Sequence, residues 1–177
     1  MSARQSSGPL GRSLPRTEAR RLASGGGRYL DDIHRPGLLH AAFFRSPHAH
    51  ARIVKIDTLD AAVSPGVVAV FTSQDMNRVC APWQGVLSHP PGMRSPLQYP
   101  LAHGRVAFQG EPVAMVVARS RAEAEDACDR LSVDWEVLPA ITALDAALDE
   151  GAVLAHPDFD SNLAFRSSVS HGDAAAA

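Results

Sequence analysis

The chain has 177 residues, of which 45% are hydrophobic and 20% charged; this is long enough for one domain with a sizeable core and short for two. Its 17 basic and 19 acidic side chains give a net charge of −2, so there is no electrostatic reason to expect nucleic acid or an anionic membrane as a partner. No apolar run approaches the roughly 20 residues that span a bilayer. Cys80 and Cys128 form neither a CxxC pair nor a disulfide framework, which favours a reducing compartment, the cytoplasm.

The two ends of the chain differ in composition from its middle. Residues 1–22 are polar and rich in Gly, Pro, Ser and Arg, so we expect a flexible leader without regular structure. Residues 23–160 hold the apolar runs that a core requires and are predicted to form the folded domain. The pattern is lost after Gly151, and residues 161–177 are predicted to form a C-terminal tail.

Strands are predicted where apolar residues run together or alternate with polar ones. They cover residues 38–45, 51–56, 67–71, 106–108, 113–118 and 132–137, with 162–165 as a candidate edge strand. In the second of these, alternation predicts Val54 and Ile56 on one face. In the sixth it predicts Val133, Trp135 and Val137 on the buried side.

The clearest helix signal covers residues 121–131. Ser120 is a good N-cap, and Glu123 stands three residues further on as a capping-box partner. Because residues 113–137 are predicted as strand, helix and strand, their length indicates one crossover unit. A last short helix is predicted from Ala143 to Leu148, with Thr142 as its cap.

Residues 80–104 contain five prolines and little periodicity. This length is too great for a plain connector, so the segment is predicted to be a long surface excursion. Trp83, near its start, is either an exposed contact residue or a lid over the core.

The strongest candidate for metal chemistry is the pair His48 and His50. In a strand, residues i and i+2 share a face, so both imidazoles could bind one metal ion. A further ligand would come from a carboxylate or from another histidine: His40, His103 or His156. The alternative is that Pro47 turns the chain and the histidines make local hydrogen bonds. That alternative is favoured because two histidines alone do not fill a tetrahedral site.

Glu111, between Gly110 and Pro112, is the most informative carboxylate. In a kink between apolar strands, burial would raise its pKa and make it an acid–base candidate. The alternative is that it accepts backbone N–H bonds and fixes the kink. No partner nucleophile or second carboxylate is evident in the sequence, which favours the second interpretation.

Seven segments occur in a fixed order: Arg28–Ile33, Pro36–His40, Arg45–Ile53, Pro65–Val70, Gly110–Ala114, Ala124–Ala127 and Val133–Ala140. Together they resemble the α/β hammerhead domain of the molybdenum-binding subunit in the family of xanthine dehydrogenase, aldehyde oxidase and carbon-monoxide dehydrogenase. The resemblance marks a set of motif residues as structural, and carries over no catalytic, cofactor-binding or metal-binding residue. The motif residues are Pro47, His48, His50, Arg52, Gly110, Glu111 and Pro112.

The resemblance implies an α+β fold with a mixed sheet and a few short helices. It also implies a parent enzyme that hydroxylates a carbon centre or oxidises carbon monoxide. Such an enzyme uses molybdopterin-bound molybdenum, with 2Fe–2S clusters and FAD on partner subunits or domains. In the family the molybdenum contacts and the catalytic glutamate lie downstream of the hammerhead, so this chain is expected to bind none of these cofactors itself. Its expected role is structural, against the molybdenum-cofactor domain and the iron–sulfur and FAD subunits.

Two other functions remain open at the level of sequence. One is a free-standing interaction module descended from that enzyme family, with the Pro-rich excursion around Trp83 as its contact surface. The other is a small metal-binding protein built on His48 and His50.

Overall fold

The computed structural model describes residues 11–85, 92–169 and 171–172. Contacts divide the chain into two units, Met1–Leu38 and Leu39–Ala177. In the described part of the chain no helix has the length and hydropathy that a membrane span requires. The surface excursion predicted over residues 80–104 includes Trp83, and its residues 86–91 lie outside the described residues.

The first unit contains a short helix, α1 (Ala19–Ala23), and a 3₁₀ turn (Leu30–Asp32). The expectation that the chain has no regular structure up to residue 22 is wrong at α1. Alanine, arginine and leucine are good helix formers, and Gly25 follows with φ +76°, the conformation that commonly ends a helix. The prediction rested on the average composition of residues 1–22 and overlooked the helix preference of the residues at their C-terminal end.

The second unit contains the strands β1 (His40–Arg45), β2 (Ala51–Asp57), β3 (Val67–Thr72), β4 (Trp83–Gln84), β5 (Leu97–Gln98), β6 (Arg105–Val106), β7 (Pro112–Ala118) and β8 (Ser132–Val137). Its helices are α2 (Leu59–Ala62), α3 (Ser73–Met76), α4 (Arg121–Cys128) and a 3₁₀ turn (Ala146–Leu148). Strands with few short helices confirm the expected α+β class.

The strands form two three-stranded sheets, ordered β1-β7-β3 and β6-β2-β8, and a separate pair, β4 with β5. These pairings are antiparallel. The predicted crossover unit over residues 113–137 is therefore wrong, because β7 and β8 belong to different sheets. Helix α4 packs across the first sheet, and the chain then leaves for the second.

Two apolar cores lie on β7. Ala114 and Val116 of β7 pack with Ala127 and Cys128 of α4 in the first core. Val113, which points to the opposite side of the strand, packs in the second core. The N-cap prediction for α4 is confirmed: Ser120 Oγ accepts the Glu123 N–H at 3.3 Å and donates to the Glu123 carboxylate at 2.8 Å.

A β-bulge corrects the predicted faces of β2. The register against β8 shifts between Ile53 and Lys55, so one extra residue stands without a partner and the alternation is interrupted. Ile53 and Ile56 pack against the second core, whereas Val54 is 63% exposed. Val54 and Ile56 therefore do not share a face. In β8, Val137 is also exposed because it is the last residue of its strand.

Two predictions beyond residue 140 are wrong. The helix expected from Ala143 to Leu148 is only the 3₁₀ turn Ala146–Leu148. Residues 162–165 form no strand. Instead the Asn162 side chain accepts the Ala155 N–H at 2.9 Å and donates to the Ala147 carbonyl at 3.0 Å. These side-chain hydrogen bonds, rather than backbone pairing between strands, hold the segment in place.

Replacing Gly66 by alanine tests the contact between α4 and the turn before β3. Gly66 has φ +74°, and a Cβ there would overlap the Glu123 carboxylate that caps α4. We expect the free energy of unfolding in urea to fall by about 2 kcal/mol, from backbone strain and the disturbed cap together.

Gly151→Ala is the matched control for this substitution. Gly151 has a similar φ of +77° with no atom near its hypothetical Cβ, so only backbone strain, about 1 kcal/mol, is expected. Equal losses in the two variants would mean that the Glu123 contact contributes nothing.

Candidate functional site

The motif segments Arg45–Ile53 and Gly110–Ala114 are hydrogen-bonded to each other. The Gly110 N–H donates to the Ser46 carbonyl at 2.9 Å, and the Ser46 N–H donates to the Glu111 carbonyl at 3.0 Å. Arg45 Nη1 donates to the Gly110 carbonyl at 2.8 Å. We call these contacts of residues 45–46 with 110–111 the joint. It lies where the β1–β7 register shifts after Phe44, next to Pro112, which opens β7.

The predicted histidine pair is not on a strand. Pro47, His48 and His50 lie in a bend, and β2 begins only at residue 51. The argument that the two imidazoles share a strand face is therefore wrong. The His48 ring packs edge-on against Trp135 with centroids 5.4 Å apart, whereas His50 Nδ1 lies 2.7 Å from the Pro139 carbonyl.

Each ring of the pair therefore has a separate partner far along the chain, at Trp135 and at Pro139, and not the local partner that the alternative interpretation expects. A carbonyl oxygen only accepts, so His50 Nδ1 carries the proton. Within the described residues there is no group of three His, Cys, Asp or Glu side chains that could hold a metal ion.

Arg52 links the central strand of the second sheet, β2, to the outer strand β8. It stands opposite Glu136 in the β2–β8 register, and its Nη1 lies 2.7 Å from Glu136 Oε2. Both side chains are largely exposed, so this ion pair stabilises the pairing by less than about 1 kcal/mol.

Glu111 is the polar group at the centre of the joint. Its Oε2 accepts the Ala107 N–H at 2.6 Å, which fixes the turn between β6 and β7. Desolvation raises the pKa of Glu111; backbone hydrogen bonds at Ala107 and Phe108 and the nearby Arg105 oppose that rise without cancelling it. Glu111 thus has the raised pKa and also the backbone-fixing role that the sequence left as alternatives.

A cleft of about 850 Å³ opens beside the joint. Its walls include His50, Arg105, Glu111 and His156. The pKa of His156 is lowered, first by burial and then by the charge of Arg105. His50 Nε2 is buried and has no hydrogen-bond partner in the described residues. Burial in the cleft therefore favours the uncharged forms of Glu111 and His156.

Sequence reasoning missed the residues that close this cleft. Asp158 and Phe159 come from the segment after Gly151, which has no periodic pattern, and they contact positions far away in the chain. The only local signal is Pro157, which favours a turn. Trp83, predicted as either a contact residue or a lid, is exposed and belongs to neither core, so the lid interpretation is wrong.

Substitution of Glu111 tests its role in the joint. Glu111→Ala leaves the partly buried Ala107 N–H without its acceptor, so we expect the free energy of unfolding in urea to fall by about 1–3 kcal/mol. Glu111→Gln keeps an amide oxygen in place and is the matched control, with an expected loss under about 0.5 kcal/mol. A Gln variant as unstable as the Ala variant would rule out the hydrogen bond as the cause.

Comparison of the Glu111→Gln variant with the wild type also tests the pKa of Glu111. A raised pKa means that the folded chain holds this proton more tightly than the unfolded chain does. That contribution to stability is present below the ordinary value of 4.5 and is lost as the pH rises through the folded pKa. Between about pH 4 and pH 7 we therefore expect Glu111→Gln to gain stability relative to the wild type. A constant difference across this window would contradict the raised pKa.

Comparison with known proteins identifies the domain. The family described as "Aldehyde oxidase and xanthine dehydrogenase, a/b hammerhead domain" matches residues 24–139. The nicotine 6-hydroxylase large subunit of Paenarthrobacter nicotinovorans is 42% identical over 166 residues, which are 93% of this chain and 20% of that protein. The xanthine dehydrogenase molybdenum-binding subunit of Escherichia coli O157:H7 is 35% identical over 159 residues, 89% of this chain and 21% of that protein.

A solved structure agrees with these sequence matches. Quinoline 2-oxidoreductase from Pseudomonas putida 86 superimposes with a TM-score of 0.81 at 43% identity, over 89% of this chain and 20% of that one. The chain thus spans about a fifth of the length of the relatives that it matches. These matches confirm the resemblance indicated by the seven motifs, and the chain belongs to the aldehyde oxidase and xanthine dehydrogenase family as its a/b hammerhead domain.

Proposed function

We propose that this chain is the structural hammerhead module of a molybdenum hydroxylase large subunit, and that it packs against the domain that carries the molybdenum cofactor. The observation that carries the proposal is an apolar face of the sheet β1-β7-β3 that helix α4 does not cover.

The strand register defines this face. Phe43 and Phe71 stand on either side of Met115, and Ala41 and Ala69 stand on either side of Val117. These six residues point away from the core under α4, which is formed by their neighbours along each strand. We call them the open face: Ala41, Phe43, Ala69, Phe71, Met115 and Val117.

An antiparallel sheet with one face on a core usually presents polar side chains on the other. The open face instead has six apolar side chains in two rows across three strands. Phe43 at its edge is 43% exposed, and the Arg45 guanidinium lies 5.7 Å from the centre of its ring. A sheet that is apolar on both sides needs a second layer to cover it.

The relatives contain enough additional chain to form such a layer. The nicotine 6-hydroxylase match is a large subunit, and the E. coli match is a molybdenum-binding subunit, both about five times as long as the matched region. We assign the layer to the molybdopterin-binding remainder of such a subunit. The proposal also includes 2Fe–2S clusters and FAD on further subunits, and a cytoplasmic location. It gives the redox chemistry to those partners and a packing role to this chain.

Co-purification with substitutions on the open face tests the proposal. A tagged chain co-expressed with the molybdenum-binding polypeptide of its own enzyme should capture that polypeptide with its molybdenum, measured by metal analysis. Phe43→Gln should reduce capture at least about tenfold, as loss of an aromatic contact buried by binding does at protein interfaces. Because Phe43 is already partly exposed, the substituted chain should still fold.

Val54→Gln is the matched control, since Val54 is an exposed apolar residue on the other sheet, and less than about a twofold loss is expected. Equal effects of the two substitutions would exclude the open face as the contact. If no molybdenum-containing polypeptide is captured at all, the free-standing module becomes the better account.

A further inference from the structure

The outer edge of β1 has no paired strand. β1 forms one margin of the sheet β1-β7-β3, and among the described strands it pairs with β7 alone. In an antiparallel strand the backbone N–H and C=O groups of successive residues point alternately to the two sides. Every second residue of β1 therefore directs both of its backbone groups away from β7.

The bonds of Ser46 show which residues of β1 face β7. Its N–H donates to the Glu111 carbonyl at 3.0 Å, and its carbonyl accepts the Gly110 N–H at 2.9 Å, so both groups point to the β7 side. The register shift after Phe44 passes over a residue of β7 and none of β1. The alternation along β1 is therefore uninterrupted, so its even-numbered residues face β7 and its odd-numbered residues face outward.

A bond at the far end of β7 gives the same assignment. The Arg119 N–H donates to the Gly66 carbonyl, just before β3, at 3.0 Å. The odd-numbered residues of β7 therefore face β3 and its even-numbered residues face β1, where they stand opposite even-numbered residues up to the register shift. The N–H and C=O groups of Ala41 and Phe43 thus point outward, and none of the described residues bonds to them.

β1 also lacks the features that protect other sheet edges, which include lysine, proline, a bulge or a covering helix. β3, at the opposite edge, has a bulge between Val67 and Ala69 and contacts α2 and α3. β8, at the edge of the second sheet, carries Asp134 and Glu136. β1 reads His-Ala-Ala-Phe-Phe-Arg, so its only formally charged residue, Arg45, stands at its end.

The free edge of β1 adjoins the open face. Ala41 and Phe43 supply the outward backbone groups and also two of the six side chains of the open face, and both residues are exposed. An extended segment along this edge would pair with the backbone of β1 and would continue the apolar surface of the open face by one strand. Edge and face can therefore belong to one interface.

We propose that the outer edge of β1 accepts an extended strand from the remainder of the molybdenum hydroxylase large subunit, so that the sheet β1-β7-β3 becomes four-stranded in the assembled enzyme. This inference rests on the proposed function and names the backbone contact that joins the two parts. The relatives match over about a fifth of their length, so the rest of such a subunit is long enough to supply the strand. Its side chains should be apolar opposite Phe43 and acidic opposite Arg45.

Hydrogen exchange of single amides distinguishes strand addition from coverage of the face alone. The tagged chain is compared in isolation and in complex with the molybdenum-binding polypeptide of its own enzyme, and residual amide protons are read by mass spectrometry with electron-transfer fragmentation. In isolation, the outward amides of Ala41 and Phe43 should exchange at least about a hundredfold faster than those of Ala42 and Phe44. In the complex, the two outward amides should slow at least about tenfold.

The Val70 amide is the matched control for this measurement. Val70 stands opposite an even-numbered residue of β7, so its N–H points outward at the other edge of the same sheet, and its exchange should change less than about twofold. If the polypeptide is captured without slowing at Ala41 and Phe43, or with equal slowing at Val70, strand addition is excluded and the packing role stands.

Two further outcomes also decide against strand addition from the large subunit. Slowing of the Ala41 and Phe43 amides in the isolated chain as its concentration rises would assign the edge to a second copy of the chain. Absence of any captured polypeptide would overturn the packing role and strand addition together.

Proline substitution gives an independent readout. Ala41→Pro removes an outward N–H without breaking a bond to β7, a change that sheet edges tolerate. Capture should fall at least about tenfold, because a carbonyl of the incoming strand is left unpaired. Ala41→Val adds bulk at the same place and keeps the N–H, so an equal loss in this variant would assign the effect to the open face and contradict strand addition.

Val137→Pro is the matched control on the edge of the second sheet. The Leu138 N–H donates to the His50 carbonyl, toward β2, at 3.0 Å, so the N–H of Val137 points outward. This substitution should reduce capture less than about twofold. Equal losses for Ala41→Pro and Val137→Pro, or capture by Ala41→Pro at the wild-type level, would overturn the proposal.

Discussion

The hydrogen-bonded joint between residues 45–46 and 110–111 is the constraint on which the rest of this domain depends. It fixes where β7 begins relative to β1, and β7 is the strand that serves both cores. Ala114 and Val116 face α4, whereas Val113 faces the second core. Gly110 reaches φ +88° at the joint, a conformation that residues with a Cβ rarely adopt. A shift by one residue here would exchange the two faces of β7.

The same alternation along β7 explains why the domain has an open face. Met115 and Val117 point to the side of Val113 but lie beyond the second core, so they remain partly exposed.

Burial also affects the titratable groups beside the joint. Burial raises the pKa of Glu111 and lowers that of His156, so both groups favour their uncharged forms. Charged groups are depleted in the cores of protein interfaces, so these neutral forms are compatible with the proposed packing role.

Features with local causes could be predicted from the sequence. The Ser120–Glu123 cap needs residues only three positions apart, and the apolar run of β7 marks a buried strand wherever it occurs. The family resemblance rested on ordered motifs and needed no three-dimensional information. The failures have non-local causes. The bulge at Val54 exists only in the register against β8, so the β2 sequence alone gives no sign of it.

The histidine pair and the segment after Gly151 show the same limit. Spacing of two residues in His48 and His50 suggested a shared strand face, but the bend after Ser46 is set by its bonds to Gly110 and Glu111. The ion pairs of Asp158 with Arg105 and of Asp160 with Arg94 join residues 53 and 66 positions apart. The periodicity of a sequence cannot predict such a contact, because an ion pair between residues distant in the chain needs only one charged residue at each position.

The joint also has a consequence for how this domain is made. Arg45 and Gly110 are 65 residues apart, and the partner strand of β1 follows only after them. During synthesis Phe43 and Phe44 leave the ribosome long before β7 exists to pair with them. Closing so long a loop must precede any gain from the cores, which makes folding slow compared with that of a domain built from local contacts. In that interval the nascent chain exposes adjacent aromatic residues on an unpaired strand, and such a strand is prone to aggregate.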